Sequence, residues 1–180
     1  MIKLEFRLAE REDLDNIFDM FKDAINEMKK NGIDQWDNIY PDRNILEDDI
    51  AKKELYIGVS EDAVLSAYVL NQECDEQYAN GTWKYPNSTY YVIDRLCVNP
   101  KFQNKGIGTS TMEHIENEVG KMGIDTIRLD AFTLNPHAVK LYEKSGFSKV
   151  GFTNWRKGKF HLMEKKINSF KGFNFTTNNL

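Results

Sequence analysis

The sequence has few cysteines, no long apolar run and no excess of basic residues. Cys74 and Cys97 lack metal-site spacing, so we expect no bound metal, and Cys97 should be a buried small hydrophobic residue within an apolar strand. No segment approaches the roughly 18 consecutive apolar residues of a membrane-spanning helix. The charged residues Lys3, Glu5 and Arg7 leave no apolar core of signal-peptide length near the N-terminus. We therefore expect a cytoplasmic protein without a membrane partner.

The charge balance narrows the choice of partners. The formal net charge is -4 and the isoelectric point is near 5.5, whereas non-specific nucleic-acid binding requires a basic surface. We therefore expect no nucleic-acid partner. A polyanionic cofactor stays compatible with this charge, because backbone amides and a few lysines can form a local positive pocket. An acidic surface also mildly favours a cationic substrate.

Apolar residues alternate in seven short segments and recur at helical spacing in four others, in the order β-α-α-β-β-β-α-β-α-β-β. This order predicts an α/β fold, with a mixed central sheet of about seven strands flanked by about four helices. We expect one domain over residues 1–167 and a polar C-terminal tail over residues 168–180. Predicted strands cover Ile2 to Leu8, Leu55 to Ser60, Ala63 to Asn71, Thr89 to Val98, Thr126 to Phe132, Phe147 to Trp155 and Lys159 to Ile167, and predicted helices cover Glu12 to Lys30, Asn44 to Lys53, Gly106 to Met122 and Asn135 to Ser145.

A glycine turn follows the central predicted strand and opens the next helix. The run Val98-Asn99-Pro100-Lys101-Phe102-Gln103-Asn104-Lys105-Gly106-Ile107-Gly108 passes from an apolar strand through a proline turn and two glycines. A helix N-terminus presents unpaired N–H groups and a partial positive charge, and glycine lets phosphate oxygens approach the backbone closely. The run therefore predicts a pyrophosphate-binding element, although many plain turns also carry a Gly-x-Gly pattern.

A second motif supports this interpretation. The Gln-x-x-Gly-x-Gly order of the turn resembles the acyl-CoA-binding motif of the GCN5-related N-acetyltransferases (GNAT). The later run Asn135-Pro136-His137-Ala138-Val139-Lys140-Leu141-Tyr142-Glu143-Lys144-Ser145-Gly146-Phe147 resembles the Asn-x-x-Ala-x-x-Leu-Tyr-x-x-x-Gly-Phe element of the same family. The resemblance covers Ile2 to Ile167 and implies a GNAT-like fold, with acetyl-CoA as cosubstrate and no metal.

The resemblance also implies where acetyl-CoA binds. Its diphosphate would accept hydrogen bonds from the backbone of the glycine turn, and its pantetheine arm would pair with the central strand as an added strand. The alternatives are a plain tight turn and a normally paired core strand. The implied binding residues are Leu96, Cys97, Val98, Gln103, Asn104, Lys105, Gly106, Ile107, Gly108, Thr109, Asn135 and Tyr142.

Asn135 and Tyr142 each have a structural alternative. Asn135 before Pro136 is a good helix N-cap. The sequence supports capping and a cofactor contact equally for this residue. Tyr142 shares a helix face with Ala138 and Leu141, so its ring should be buried and its hydroxyl needs a partner. In the family this tyrosine protonates the departing thiolate. A core tyrosine bonded elsewhere is the alternative.

The implied reaction is attack of a neutral amine on the acetyl thioester, for which an ammonium must first lose a proton. Asp94 is the leading candidate for the base. Strict alternation places it on the same face as Val92, Leu96 and Val98, and turns Arg95 the other way. A carboxylate on an apolar face must be paired or functional. Asp94 could at least as well be a structural residue, paired with a cation or the backbone of another strand. A chain of waters could also remove the proton.

The acceptor is a small-molecule or peptide amine that the sequence does not identify. Trp36 and Tyr40 lie in a loop that faces the acceptor in relatives, so they could line its pocket or simply anchor the loop. The function predicted is an N-acetyltransferase, as a monomer or homodimer. The alternative is a catalytically silent acyl-CoA-binding sensor or partner-binding module. A non-amine nucleophile or a longer acyl chain is a further alternative.

Overall fold

The seven strands lie side by side in one mixed sheet, in the order β1-β2-β3-β4-β5-β7-β6. Only β4 and β5 pair in parallel, and every other neighbouring pair is antiparallel. A computed structural model describes residues 2–168, so the predicted tail lies outside the described residues except for Asn168. The elements are β1 Glu5–Leu8, α1 Leu14–Lys30, α2 Arg43–Ala51, β2 Leu55–Ser60, β3 Ala63–Asn71, β4 Tyr90–Val98, α3 Ile107–Lys121, β5 Thr126–Phe132, α4 Pro136–Lys144, β6 Ser148–Trp155 and β7 Gly158–Lys166.

The prediction of a mixed seven-stranded sheet with four α-helices is confirmed for residues 2–168. Helices α1 and α2 cover one face of the sheet, where the apolar stripe of α1 meets Ile57 and Val69. Helices α3 and α4 cover the other face, where Met112 and Ile115 pack with Leu129. Burial of such apolar stripes against the sheet is the main favourable contribution to this layered fold.

The long segment between β3 and β4 packs against the sheet instead of extending into solvent. It contains a short 3-10 helix, Glu76–Asn80, which the predicted loop lacked. Tyr78 is buried there with Val92 and Leu162, and the amide of Thr82 donates to the carbonyl of Val150 at 2.7 Å. The segment therefore covers β4, β6 and β7, where no α-helix of the described chain lies.

A β-bulge interrupts β4 in the middle of the strand. Ala67 pairs with Cys97 and Val69 pairs with Asp94, so one residue of β3 faces the two residues Arg95 and Leu96. Arg95 takes the left-handed backbone conformation, with φ of 50°. A bulge of this kind adds an unpaired residue and bends its strand.

The bulge makes the predicted alternation along β4 wrong. Leu96 packs with the α3 and α4 cluster, whereas Cys97 packs with the α1 and α2 cluster. Arg95 reaches Asp49 of α2, so it does not turn away from Asp94 as strict alternation predicted. Asp94 therefore shares its face with Val92 and Cys97, and the extra residue at the bulge is the physical reason.

Strands β4 and β5 separate just before the bulge. Their parallel pairing covers only Tyr90 to Ile93 of β4 and Thr126 to Leu129 of β5. Beyond Ile93 the edge of β4 that faces away from β3 has no strand partner among residues 2–168. Backbone groups of residues 96–98 can therefore pair with an extended ligand.

An ion pair holds the bulge to α2. Both carboxylate oxygens of Asp49 accept from the Arg95 guanidinium, at 2.8 and 2.9 Å, and the side chains are 7% and 14% exposed. Nη1 of Arg95 also donates to the Tyr40 hydroxyl at 2.8 Å. This bidentate geometry fixes a guanidinium more firmly than a single contact would.

We expect Asp49→Ala to lower the free energy of unfolding by about 3–5 kcal/mol, because it leaves a mostly buried guanidinium without its carboxylate. Asp49→Asn keeps one acceptor oxygen and should cost less. Urea denaturation measures both changes. Asp48→Ala, at the exposed neighbouring position of α2, is the control and should change the value by less than about 0.5 kcal/mol. Equal effects of Asp48→Ala and Asp49→Ala would show that the ion pair does not support the bulge.

Candidate active site

A cavity of about 500 Å³ opens where β4 ends and α3 begins. We call it the larger cavity, because a neighbouring cavity has a volume of only about 330 Å³. The larger cavity is also lined by parts of α1 and α4. Lys105 does not line this cavity; its ammonium lies over the Phe102 ring, 5.1 Å from the centroid. The other predicted cofactor residues all line it: Leu96, Cys97, Val98, Gln103, Asn104, Gly106, Ile107, Gly108, Thr109, Asn135 and Tyr142.

The glycine turn bends through two left-handed residues before α3. Asn104 has φ of 60° and Gly106 has φ of 82°, and α3 begins at Ile107. A Cβ on Gly106 would meet no atom within 4 Å, whereas a Cβ on Gly108 would lie 3.2 Å from Cδ2 of Leu141. Gly106 therefore gives the turn its conformation, and Gly108 allows α3 to approach α4 closely. The first-turn N–H groups of α3 remain available to an anion.

Asn135 caps α4, as predicted. Its Oδ1 accepts from the amide of Ala138 at 3.2 Å, and its Nδ2 donates to Oε1 of Gln35 at 2.7 Å. Gln35 lies in the loop after α1 and was not among the predicted site residues. No local sequence signal marks it, because its partner is 100 residues away. The contact joins two elements that line the larger cavity.

Tyr142 lies on the buried face of α4, with 8% of its surface exposed. Its ring packs near Phe147, but its hydroxyl makes no hydrogen bond to another residue in the described part of the chain. The partner expected from sequence is therefore not supplied by residues 2–168. Burial raises the pKa of the Tyr142 hydroxyl above its ordinary value, so the group holds its proton at neutral pH.

A second cavity of about 330 Å³, the smaller cavity, meets the larger one beside Tyr142. Both are lined by Gln35, Trp36, Leu96 and Tyr142. Tyr142 thus stands at the junction of the two cavities, where they share part of their walls.

Aromatic rings form much of the wall of the smaller cavity. Trp36 both lines it and packs on Phe21 of α1, with ring centroids 5.3 Å apart, so the ring also anchors the loop, and its role toward an acceptor stays a prediction. Tyr40 lines the cavity and is 36% exposed, and its hydroxyl accepts from Arg95. Trp155 and Phe160, which the sequence did not indicate, complete this wall.

Two aspartates of neighbouring strands also line the smaller cavity. Burial raises the pKa of Asp94 to about 6, although the charge of Arg95 opposes the shift. Burial also raises the pKa of Asp130 to about 7, and the charge of Asp94 adds to that rise. The Tyr78 hydroxyl donates to Asp130 at 3.0 Å. Asp130 was missed, although an acidic residue within the apolar strand β5 is the same signal that indicated Asp94.

An ion-pair cluster joins the loop after α1 to the β6–β7 turn. Asp37 accepts from Arg156 at 2.7 and 3.0 Å and from Lys157 at 2.8 Å. Lys157 also pairs with Asp34 at 2.6 Å. Arg156 and Lys157 line the smaller cavity, so this cluster, here called the clamp, closes one of its sides.

Neither a metal centre nor a membrane-spanning segment is found in residues 2–168. No three His, Cys, Asp or Glu side chains of that range lie together in a way that could hold a metal ion. No helix there is long and apolar enough to cross a membrane.

Solved structures with this fold include acetyltransferases. An acetyltransferase of the GNAT family from Streptococcus agalactiae 2603 superposes with a TM-score of 0.80, at 22% identity, over 92% of this chain and 97% of that one. The PaiA N-acetyltransferase from Thermoplasma acidophilum, in complex with coenzyme A, gives a TM-score of 0.70 at 18% identity, over 92% and 99% of the two chains. These likenesses support the fold.

Sequence comparison gives a closer relationship. The alanine N-acetyltransferase of ribosomal protein bS18 from Escherichia coli K12 is 35% identical over 67 residues, which are 34% of this chain and 45% of that protein. The matched stretch therefore spans less than half of this relative. A sequence model of the acetyltransferase (GNAT) family matches residues 17–147, which include the glycine turn, Asp94 and Tyr142. The resemblance seen in the sequence is confirmed, and the chain belongs to the acetyltransferase (GNAT) family.

Proposed function

We propose that this protein transfers an acetyl group from acetyl-CoA to an amine by direct attack. The observation that carries the proposal is the junction of the two cavities at Leu96 and Tyr142, beside the open edge of β4. A donor in the larger cavity and an acceptor in the smaller cavity would meet there. Holding both reactants in one geometry removes much of the entropic barrier to their reaction.

The larger cavity suits acetyl-CoA in shape and chemistry. Its volume of about 500 Å³ lies within the usual range of ligand pockets. The N-terminus of α3 favours the diphosphate, and the unpaired edge of residues 96–98 can hydrogen-bond the amides of the pantetheine arm. The Thermoplasma relative was crystallised with coenzyme A, which supports the same choice of ligand.

The proposed chemistry needs one base and one acid. The acceptor nitrogen gives a proton to Asp94 and attacks the thioester carbonyl carbon. The carbon–sulfur bond then breaks, and the sulfur takes the proton of the Tyr142 hydroxyl as it departs. The nitrogen loses a second proton on becoming an amide, and that proton restores the Tyr142 hydroxyl through solvent. Asp94 is mostly ionised above pH 6, and Tyr142 is protonated at neutral pH, so each group starts in the state that its role requires.

The Escherichia coli relative is named for acetylation of an alanine of a ribosomal protein. A peptide amine and a small-molecule amine are therefore both candidate acceptors for this chain.

Release of free CoA thiol from acetyl-CoA, measured across a panel of peptide and small amines, tests the proposed function. Wild-type protein should release thiol only when an acceptable amine is present.

Tyr142→Phe should lower kcat and kcat/KM together by roughly 100-fold, because only the acid for the departing thiolate is removed. The melting temperature should change little, since the hydroxyl has no hydrogen bond to lose within residues 2–168. Steady-state kinetics and a direct CoA-binding measurement check both statements. Tyr68→Phe removes another buried tyrosine hydroxyl, at a residue that lines neither cavity, and is the matched control.

Near wild-type kcat in Tyr142→Phe would remove this residue from the mechanism. Weaker CoA binding with normal kcat would make it a packing residue beside the pantetheine arm. If the wild-type protein binds acetyl-CoA but releases no thiol with any amine, the acyl-CoA sensor is the better description.

Gly106→Ala should weaken acetyl-CoA binding by about tenfold, because its methyl group would occupy space next to the first-turn N–H groups of α3. Gly123→Ala is a matched control: both glycines have left-handed φ, 82° and 74°, and a Cβ on either meets no atom within 4 Å. Each variant should cost about 1 kcal/mol in backbone strain. The rise in melting temperature produced by saturating acetyl-CoA separates them, and equal rises would make the glycine turn purely structural.

The rate should also depend on the ionisation of Asp94. Its pKa of about 6 predicts that kcat/KM falls as the pH is lowered through about 6. Asp94→Asn should reduce kcat/KM at pH 7.5 by at least about 100-fold. If kcat/KM of Asp94→Asn still falls as the pH is lowered, Asp130 is the base. The midpoint of that fall should then lie below the wild-type pKa of Asp130, because loss of the Asp94 charge lowers that pKa.

Stability provides the control for folding of Asp94→Asn. Because the pKa of Asp94 is higher in the folded protein than in the unfolded chain, ionised Asp94 destabilises the fold above about pH 6. The variant should therefore melt at an equal or higher temperature than wild type at pH 8. This difference should disappear toward pH 4, where Asp94 is protonated in the folded protein.

A further inference from the structure

The smaller cavity carries three carboxylates that form no ion pair within residues 2–168. Asp75, Asp94 and Asp130 line it, and none of them forms an ion pair with a residue in the range 2–168. Among the described side chains, only the Tyr78 hydroxyl hydrogen-bonds any of the three, at Asp130. Tyr78 is itself buried, so this contact fixes the direction of the Asp130 carboxylate.

The cations that line the cavity are already neutralised. Arg95 is held in a bidentate contact by Asp49 and donates to Tyr40. Arg156 and Lys157 are held in the clamp by Asp34 and Asp37. Asp75, Asp94 and the ionised form of Asp130 therefore give the cavity a negative potential, which the charge of Arg95 offsets only in part.

Unpaired carboxylates in such a place are costly. Asp94 and Asp130 share the wall of the cavity with aromatic rings, and at their buried positions a charge without a partner loses much of its hydration. The raised pKa of each group reflects this burial. A cationic ligand would supply the missing partner, and the faces of Trp36, Trp155 and Phe160 also attract cations. The cavity is therefore complementary to more than one positive charge.

The size of the cavity limits the acceptor further. At about 330 Å³ it lies near the lower end of the usual range of ligand pockets. The clamp closes one side of it by joining the loop after α1 to the β6–β7 turn. A compact acceptor fits this space better than an extended peptide does.

We infer that the acceptor is a small amine that carries at least two cationic nitrogens, such as an aliphatic diamine or polyamine. One nitrogen reacts beside Asp94 at the junction of the cavities. The second is held as an ammonium by Asp130 and, at the exposed side of the cavity, by Asp75. This inference rests on the proposed acetyl transfer and names the class of its acceptor.

The test compares two acceptors of the same carbon chain. 1,4-Diaminobutane has the second amine and n-butylamine lacks it. The second charge should raise kcat/KM by about 100-fold, on the scale of a desolvated charge pair. Asp130→Asn should lower this ratio by at least about tenfold, and Asp75→Asn should lower it less because Asp75 is exposed. Asp62→Asn, in the exposed β2–β3 turn, should leave the ratio unchanged.

Calorimetric binding of the two amines provides a readout that does not depend on turnover. Tighter binding of the diamine, reduced in Asp130→Asn, would support recognition of a dication by the smaller cavity. If the same protein released no thiol with any amine, acetyl transfer alone would be contradicted. Equal kcat/KM for both amines, or faster acetylation of alanine-initiated peptides than of any diamine, would overturn the inference and leave acetyl transfer intact. Equal binding of both amines to inactive protein would overturn both.

Discussion

Arg95 occupies the extra position of the bulge in β4, and both oxygens of Asp49 hold its guanidinium. Bulges bend their strands, and the pairing of β4 with β5 ends at Ile93, just before this one, which leaves the edge of residues 96–98 without a strand partner in the described part of the chain. The bulge also places Asp94 and Leu96 on opposite faces, so that Asp94 lines the smaller cavity while Leu96 lies at the junction with the larger one. The whole candidate site depends on this local irregularity.

The charged residues near the site fall into two groups, paired cations and unpaired carboxylates. The cations near the site are held by acidic partners that fix the backbone: Arg95 by Asp49, and the β6–β7 turn by Asp37. The carboxylates that face the smaller cavity form no ion pair with any residue that the structure describes. Leaving Asp94 and Asp130 unpaired lowers stability at neutral pH, and sites that bind or transfer protons commonly keep such groups.

Local signals predicted much of this architecture. Apolar periodicity located all seven strands and four helices, and the Asn135-Pro136 pair located the start of α4, because these features depend on neighbouring residues. The bulge could not be predicted, since it rests on a contact between residues 46 positions apart in sequence. Gln35 could not be predicted for the same reason. Asp130 could have been predicted, because an acidic residue within an apolar strand is visible in the sequence.

The central claim is that donor and acceptor occupy the two cavities at the same time and react directly across their junction. Initial rates with both acetyl-CoA and the amine varied test this claim most directly. Simultaneous occupancy predicts double-reciprocal lines that intersect, because both substrates must be bound before either product leaves. Parallel lines would indicate that the acetyl group is first transferred to the protein, and they would contradict this account.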